Sequence, residues 1–236
     1  MISLKNWDNK TWLSSKSYIY SFNSFILNQH KLNKNSRILD VGCGRGKIIE
    51  HLSNKLKLIN KPIGIDIENH KDKSKKIIFK KSDAITFLSK TKITFDLILI
   101  KQTIHLLKIV QILRLLSICK KKLNPSGKII ILSLEPNKNE IPTFSLMKKK
   151  LKKSLRKDKI IFDLIIATYP NVIVKNFIFK VNLLKKTYIK MIKNRYISTL
   201  LNLSDIQIST GLREIDFNYK NKISFKDRLI CLILRK

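Results

Sequence analysis

Acidic residues are scarce in this 236-residue chain: 16 Asp and Glu stand against 49 Lys and Arg, a formal net charge of +33. Taken as a surface property, that imbalance points to an anionic partner such as nucleic acid or membrane headgroups. Arginine is scarce as well, eight residues against 41 lysines. Its planar fork is what phosphate recognition favours, and a polyanion-binding face would gather its cations on one side. Here the lysines are spread along a chain also rich in Ile and Asn, the pattern expected from drift toward AT-rich codons. Residues 71–76, 120–122 and 148–153 are the candidate patches for RNA or another polyanion, with solvated helix faces or loops as the plainer use.

Cysteine is nearly absent. Cys43, Cys119 and Cys231 lie far apart and form no C-x-x-C pair, so neither a zinc site nor a disulfide framework is expected, and a reducing cytoplasm fits best. Long apolar runs are missing too: the N-terminus has no signal core, and residues 160–174 are broken by Asp163 and Pro170, so no membrane span is expected. There is no internal repeat and no low-complexity linker. With 44% hydrophobic and 28% charged residues the chain can still fill a core. A single domain over residues 1–236 is expected, with a helical lid over about 1–35, a core over 36–136 and a cap and substrate region over 137–236.

What is present is an alternation of short β-branched runs with helical patterns, the signature of βαβ units and a parallel sheet. Strands are expected at 37–41, 62–66, 76–80, 95–100 and 128–134, with helices at 47–58 and 104–123 and a short apolar segment at 83–88. Residues 124–127, Asn-Pro-Ser-Gly, read as the turn that stops the second helix. Beyond Pro136 the spacing predicts helices at 143–159, 185–201 and 204–219, an extended run at 172–181 and a last strand at 228–234.

The chemistry gathers after the first strand. Gly42, Gly44 and Gly46 precede a helix, so the backbone can turn sharply there and present unpaired N–H groups to a polar or anionic ligand. The dinucleotide pattern would need a third glycine at position 47, which is lysine, and no Walker loop is present. Asp66 closes the second strand 22 residues after Gly44, where a carboxylate can accept both hydroxyls of a ribose. Asp83 follows the third strand and can accept from an exocyclic amine. Together these describe a slot for an adenosine.

In this order and spacing, Asp40-x-Gly42-x-Gly44-x-Gly46, Gly64-Ile65-Asp66, Ser82-Asp83-Ala84, the run from Phe95 to Lys101 and the run from Leu123 to Lys128 resemble the motifs of class I S-adenosylmethionine-dependent methyltransferases, over roughly residues 36–136. The resemblance implies an α/β, Rossmann-like, seven-stranded and mostly parallel sheet with helices on both faces, an antiparallel last strand and a helical cap near the C-terminus. It implies S-adenosylmethionine as cofactor, with Asp40, Gly42, Cys43, Gly44, Gly46, Asp66, Ile67, Asp83, Ala84 and Lys101 at its site, and Asp40 supporting the glycine turn or meeting the methionine amino group.

Methyl transfer from a sulfonium needs alignment and desolvation more than acid–base help. After the fourth strand the Asn/Asp-Pro-Pro-aromatic motif of exocyclic-amine methylation is missing, and no cysteine stands there for RNA cytosine-C5 chemistry. Ribose 2′-O methylation of RNA stays open. His105 can remove a proton from a hydroxyl, amine or carboxyl acceptor, or can simply be a helix-start residue bonded to backbone. The segments 194–201, 204–205, 211–215 and 225–231 are similar to the C-terminal part of small-molecule methyltransferases of the type 11 and trans-aconitate groups. That similarity implies Arg195 and Tyr196 facing an acceptor, Arg195 toward a carboxylate, with an ion pair from Arg195 to Asp205 or Glu214 as the alternative. Gln102 and Lys101 can orient the acceptor. Trp7, Trp12, Tyr18, Tyr20 and Phe22 are expected to pack on the sheet, with a lid over the cofactor as the alternative for Trp12 and Tyr18. The leading reading is methylation of a small organic molecule; RNA methylation through the basic surface and a non-catalytic cofactor-binding module are the alternatives.

Overall fold

A computed structural model describes residues 11–236; Trp7 lies outside the described residues. All four residues of β1 (Ile38–Val41) are buried, as a strand covered on both faces requires. Around it β2 (Ile63–Asp66), β3 (Ile78–Lys81), β4 (Phe95–Lys101), β5 (Leu123–Leu134), β6 (Ile173–Leu184) and β7 (Lys222–Arg235) form one sheet in the order β3-β2-β1-β4-β5-β7-β6. The first five strands are parallel, and β7 runs antiparallel to both β5 and β6. The chain builds outward from β1 to β3 and then returns to β4 on the other side of β1. That reversal opens a crevice at the C-terminal ends of β1, β2 and β4.

Period-two alternation divides the apolar residues between two layers. Leu97, Leu99, Ile130 and Leu132 face a layer built with α1 (Lys16–Gln29), α2 (Lys47–Leu56), α6 (Lys185–Lys193) and α7 (Asp205–Asn218). Ile98, Ile100, Ile129 and Ile131 face the other, built with α3 (Ala84–Lys90) and α4 (Ile109–Lys121). The helix α5 (Ser145–Thr168) contributes to both. Tyr18 and Phe22 of α1 are fully buried against Phe177 of β6, whereas Tyr20 is exposed. Trp12 sits edge-on to Tyr196 and Phe225.

Several boundaries differ from the spacing's expectation, each for a local reason. α5 runs nine residues past 159 because Ile161, Phe162 and Ile165 continue the buried face begun by Met147, Leu151 and Leu155; it ends just before Pro170, whose ring disfavours helix in the preceding residue. The expected helix at 104–123 is divided into a 3-10 turn (Ile104–Leu106) and α4, because Lys108 N–H donates to the Gln111 side chain (2.9 Å) and starts a new helix. Leu123 already pairs with Phe95, so residues 124–127 bulge out within β5 instead of preceding it. α6 stops at Lys193, and Arg195 takes a left-handed conformation (φ 50°) before a 3-10 turn (Ser198–Leu200).

The packing of α7 on α5 is tight at Gly211, where an added Cβ would lie 2.5–2.6 Å from the ring of Phe144. Alanine would gain about 1 kcal/mol of helix propensity, but the ring is buried and overpacking costs about 1–3 kcal/mol. Gly211→Ala is therefore expected to lower stability by up to about 2 kcal/mol in denaturant unfolding; a raised midpoint would refute this account of the contact.

Candidate functional site

The crevice at the C-terminal ends of β1, β2 and β4 holds a cleft of about 1440 Å³ of open volume. Its floor is the turn after β1, pinned to β2 by the N–H groups of Gly42 and Cys43, which both donate to Ile65 O (2.8 and 3.1 Å). All three glycines of this turn have positive φ, yet they do different work. At Gly42 an added Cβ would fall 2.1 Å from Thr103 Oγ1, so glycine permits the turn to pass under the β4 loop. Over Gly44 nothing lies within 4 Å of that position, an open cradle. Gly46 faces away: its Cβ would strike Ile77 Cδ1 at 2.2 Å, and it does not line the cleft. Gly46, expected at the cofactor site, is the left-handed entry to α2, packed under Ile77 and outside the residues that line the cleft.

Asp40 is the most constrained group in the cleft. It is 3% exposed, and its Oδ1 has no hydrogen-bond partner among the described residues. Burial pushes its pKa up to about 8, opposed by the charge of Lys101 and aided by that of Asp66. The ammonium of Lys101 stands over the rings of Tyr18 and Phe22, 5.3 and 5.5 Å from their centres. Asp66 is aimed by two backbone donors, Gly44 N–H to Oδ2 (2.8 Å) and Glu68 N–H to Oδ1 (2.9 Å), leaving acceptor capacity on both oxygens. Burial, with Asp40 and Asp66 adding to it, drives the Cys43 thiol far upward, so it is no thiolate.

Farther along the edge, Ile67 offers an exposed apolar face and Ala84 a half-buried one. Asp83 caps α3, its Oδ1 accepting from Thr86 N–H (2.9 Å), and hydrogen bonding from the Thr86 side chain, then from its backbone, holds its pKa low. An incoming donor would meet the remaining oxygen.

A second recess, about 790 Å³, adjoins the cleft and shares Leu13, Gln102 and Leu106 with it. Gln102 stands at the junction in a left-handed conformation (φ 53°), held there by its N–H donating to Leu132 O (2.8 Å). His105 lines the recess with Nδ1 3.5 Å from Ser133 Oγ; burial lowers its pKa, which favours the neutral imidazole. Tyr196 also lines it, with its hydroxyl 2.8 Å from that of Tyr188, which in turn donates to Pro142 O. Arg195 does not reach either cavity. Its guanidinium holds Asp205 Oδ1 (2.7 Å) and Leu203 O (2.9 Å), the ion pair foreseen as the alternative.

Sequence reasoning missed Asp158 and Asp227, both on the wall of this recess. A signal for each was there. Asp158 follows Leu155 on the apolar stripe of α5, and Asp227 falls among Ile223, Phe225, Leu229 and Cys231, the inward positions of β7. Asp227 accepts a hydrogen bond from Trp12 Nε1 (2.9 Å). The lysines of residues 148–153 lie on the outer side of α5 as a solvated face. Among the described residues no cluster of His, Cys, Asp or Glu suits a metal ion, and no helix is long and apolar enough to cross a membrane.

Comparison with known proteins gives a consistent picture. The family described as "Methyltransferase domain" matches residues 18–158. No curated protein matches the chain. Among solved structures, a protein of an antibiotic biosynthesis pathway from Anabaena variabilis, described as a methyltransferase, superposes with a TM-score of 0.63 at 16% identity over 90% of this chain and 96% of that one. A SAM-dependent methyltransferase from Archaeoglobus fulgidus gives 0.53 at 20% identity over 92% and 94%. The plantazolicin methyltransferase BpumL, in complex with a pentazolic desmethylPZN analog and SAH, gives 0.55 at 18% over 98% and 88%. At these identities the structures share the fold.

The Asp40 environment makes a prediction about stability. Its pKa is raised on folding, so the folded state binds the proton more tightly than the unfolded chain; this contribution is most favourable below about pH 4 and is lost as pH rises toward about 8. Stability should fall between pH 5 and pH 8, and Asp40→Asn should reduce that fall by on the order of 2–4 kcal/mol in denaturant unfolding. An identical pH profile in the variant would contradict the burial of an uncompensated carboxyl.

Proposed function

The chain belongs to the methyltransferase-domain family, and we propose that it is an S-adenosylmethionine-dependent methyltransferase whose acceptor is a small organic molecule. The observation that carries the cofactor assignment is Asp40: a buried carboxyl with an unpartnered oxygen, beside an open glycine cradle at the sheet's switch point. An amino acid ammonium supplies the partner that oxygen lacks. The remaining groups fit an adenosine. Asp66 presents acceptors for ribose hydroxyls, Ile67 and Ala84 offer apolar surface for a base, and Asp83 stands at the same edge. Lys101 and Cys43 line the cleft between these groups, and Gly42 and Gly44 let the backbone approach.

When bound, S-adenosylmethionine supplies an electrophilic methyl group on sulfur. The protein's part is to hold the acceptor in line and exclude water. The adjoining recess suits a small acceptor because it is mostly apolar and shares Gln102 with the cleft. His105, neutral and on the recess wall, can take a proton from an acceptor that must lose one. Tyr196 shapes the wall by its ring. The exposed lysines of α5 face solvent and take no part in holding an acceptor inside the recess.

Titration calorimetry with S-adenosylhomocysteine should give micromolar-range binding, about −8 kcal/mol, with none for NAD. Asp66→Ala should weaken it at least tenfold, about 1.4 kcal/mol. Absence of binding by the wild type would overturn the cofactor assignment.

A further inference from the structure

The recess carries a charge opposite to the rest of the molecule. In a chain of net +33, no Lys or Arg among the described residues lines it, whereas two of the 16 acidic residues do. Asp158 is only 6% exposed, and burial alone raises its pKa, to about 6; no hydrogen bond or neighbouring charge contributes. Its carboxyl thus faces the recess without a partner among the described residues. Asp227, 1% exposed, is tied to Trp12 and feels the charge of Lys101. Thr199 Oγ1, also on the wall, is buried without a hydrogen bond. Leu106, Leu151 and Leu155 make the surrounding wall apolar.

A lone carboxylate in such a wall is costly until a cation arrives, and a carboxylate ligand would add like charge to like. We propose that the recess binds an organic amine, with its apolar body on the leucines and its ammonium on Asp158, so that the methyl acceptor is an amine nitrogen. This rests on the reading of the adjoining cleft as the methyl donor's site. It also reverses the expectation of an acceptor carboxylate held by Arg195, whose guanidinium is engaged by Asp205. In the transfer, one proton passes from the ammonium to Asp158, which for an amine takes the part given above to His105, and frees the nitrogen lone pair. That pair forms the N–C bond while sulfur keeps the pair of the broken C–S bond; the positive charge returns to nitrogen, and Asp158 gives its proton to solvent.

The test uses three probes of one shape on the full chain: phenethylamine, phenylacetate and 2-phenylethanol, titrated with S-adenosylhomocysteine affinity measured on the same sample. Phenethylamine should bind at least tenfold more tightly than either control. Asp158→Asn, which removes a buried charge at nearly constant shape, should abolish that preference while S-adenosylhomocysteine affinity changes less than threefold. If that variant does not fold, Asp227→Asn should reduce the preference at least threefold. Equal or tighter binding of phenylacetate or phenylethanol, binding of none of the three up to roughly millimolar concentration, or an undiminished preference in the folded variant overturns the proposal. Failure of S-adenosylhomocysteine alone to bind, with the amine preference intact, removes the methyl-transfer reading and leaves an amine site.

Discussion

The carboxyl of Asp40 is the group on which the account turns. A carboxylate taken out of water needs a cation or several donors, and here one oxygen has none among the described residues. Lys101 compensates only in part, since the pKa remains near 8. A fold that keeps such a group at the end of its central strand gives up stability at neutral pH. The glycine turn, the pinning of that turn to Ile65 and the orientation of Asp66 by Gly44 all arrange open space beside it. Only an interaction with a ligand makes that arrangement favourable.

The sheet order sets where this happens. β1 lies between β2 and β4, and the chain departs on one side and returns on the other, so the loops following these strands border a single crevice. β7 inserts antiparallel between β5 and β6 and brings Asp227 to the far wall, while α5 brings Asp158. α5 divides its charge sharply: lysines outward, a lone acid inward. The net charge of the chain and the character of its recess are therefore opposite, and the net charge is a poor guide to what binds inside.

Much of this was legible in the sequence. Buried parallel strands read as apolar runs, and the glycine turn with Asp66 follows from the spacing of β1 and β2. What was hidden depends on contacts between distant segments. Gly46 looks like Gly44 in sequence, and only Ile77, 31 residues after Gly46, distinguishes the packed glycine from the open one. In sequence Arg195 reads as either an acceptor ligand or an ion pair, because its neighbour Asp205 is separated from it by a turn that spacing does not predict. Asp158 and Asp227 interrupt apolar patterns, and only the fold shows that both interruptions meet in one cavity.

Proton release on cofactor binding tests the central claim most directly. S-adenosylhomocysteine is titrated at pH 7 in buffers of different ionisation enthalpy, into wild type and Asp40→Asn. An Asp40 with a pKa near 8 is mostly protonated in the empty cleft and must ionise to meet the ligand's ammonium. The account predicts release of close to one proton per site by the wild type, diminished in the variant along with affinity. Binding with no proton release, or with equal release by both proteins, would contradict it.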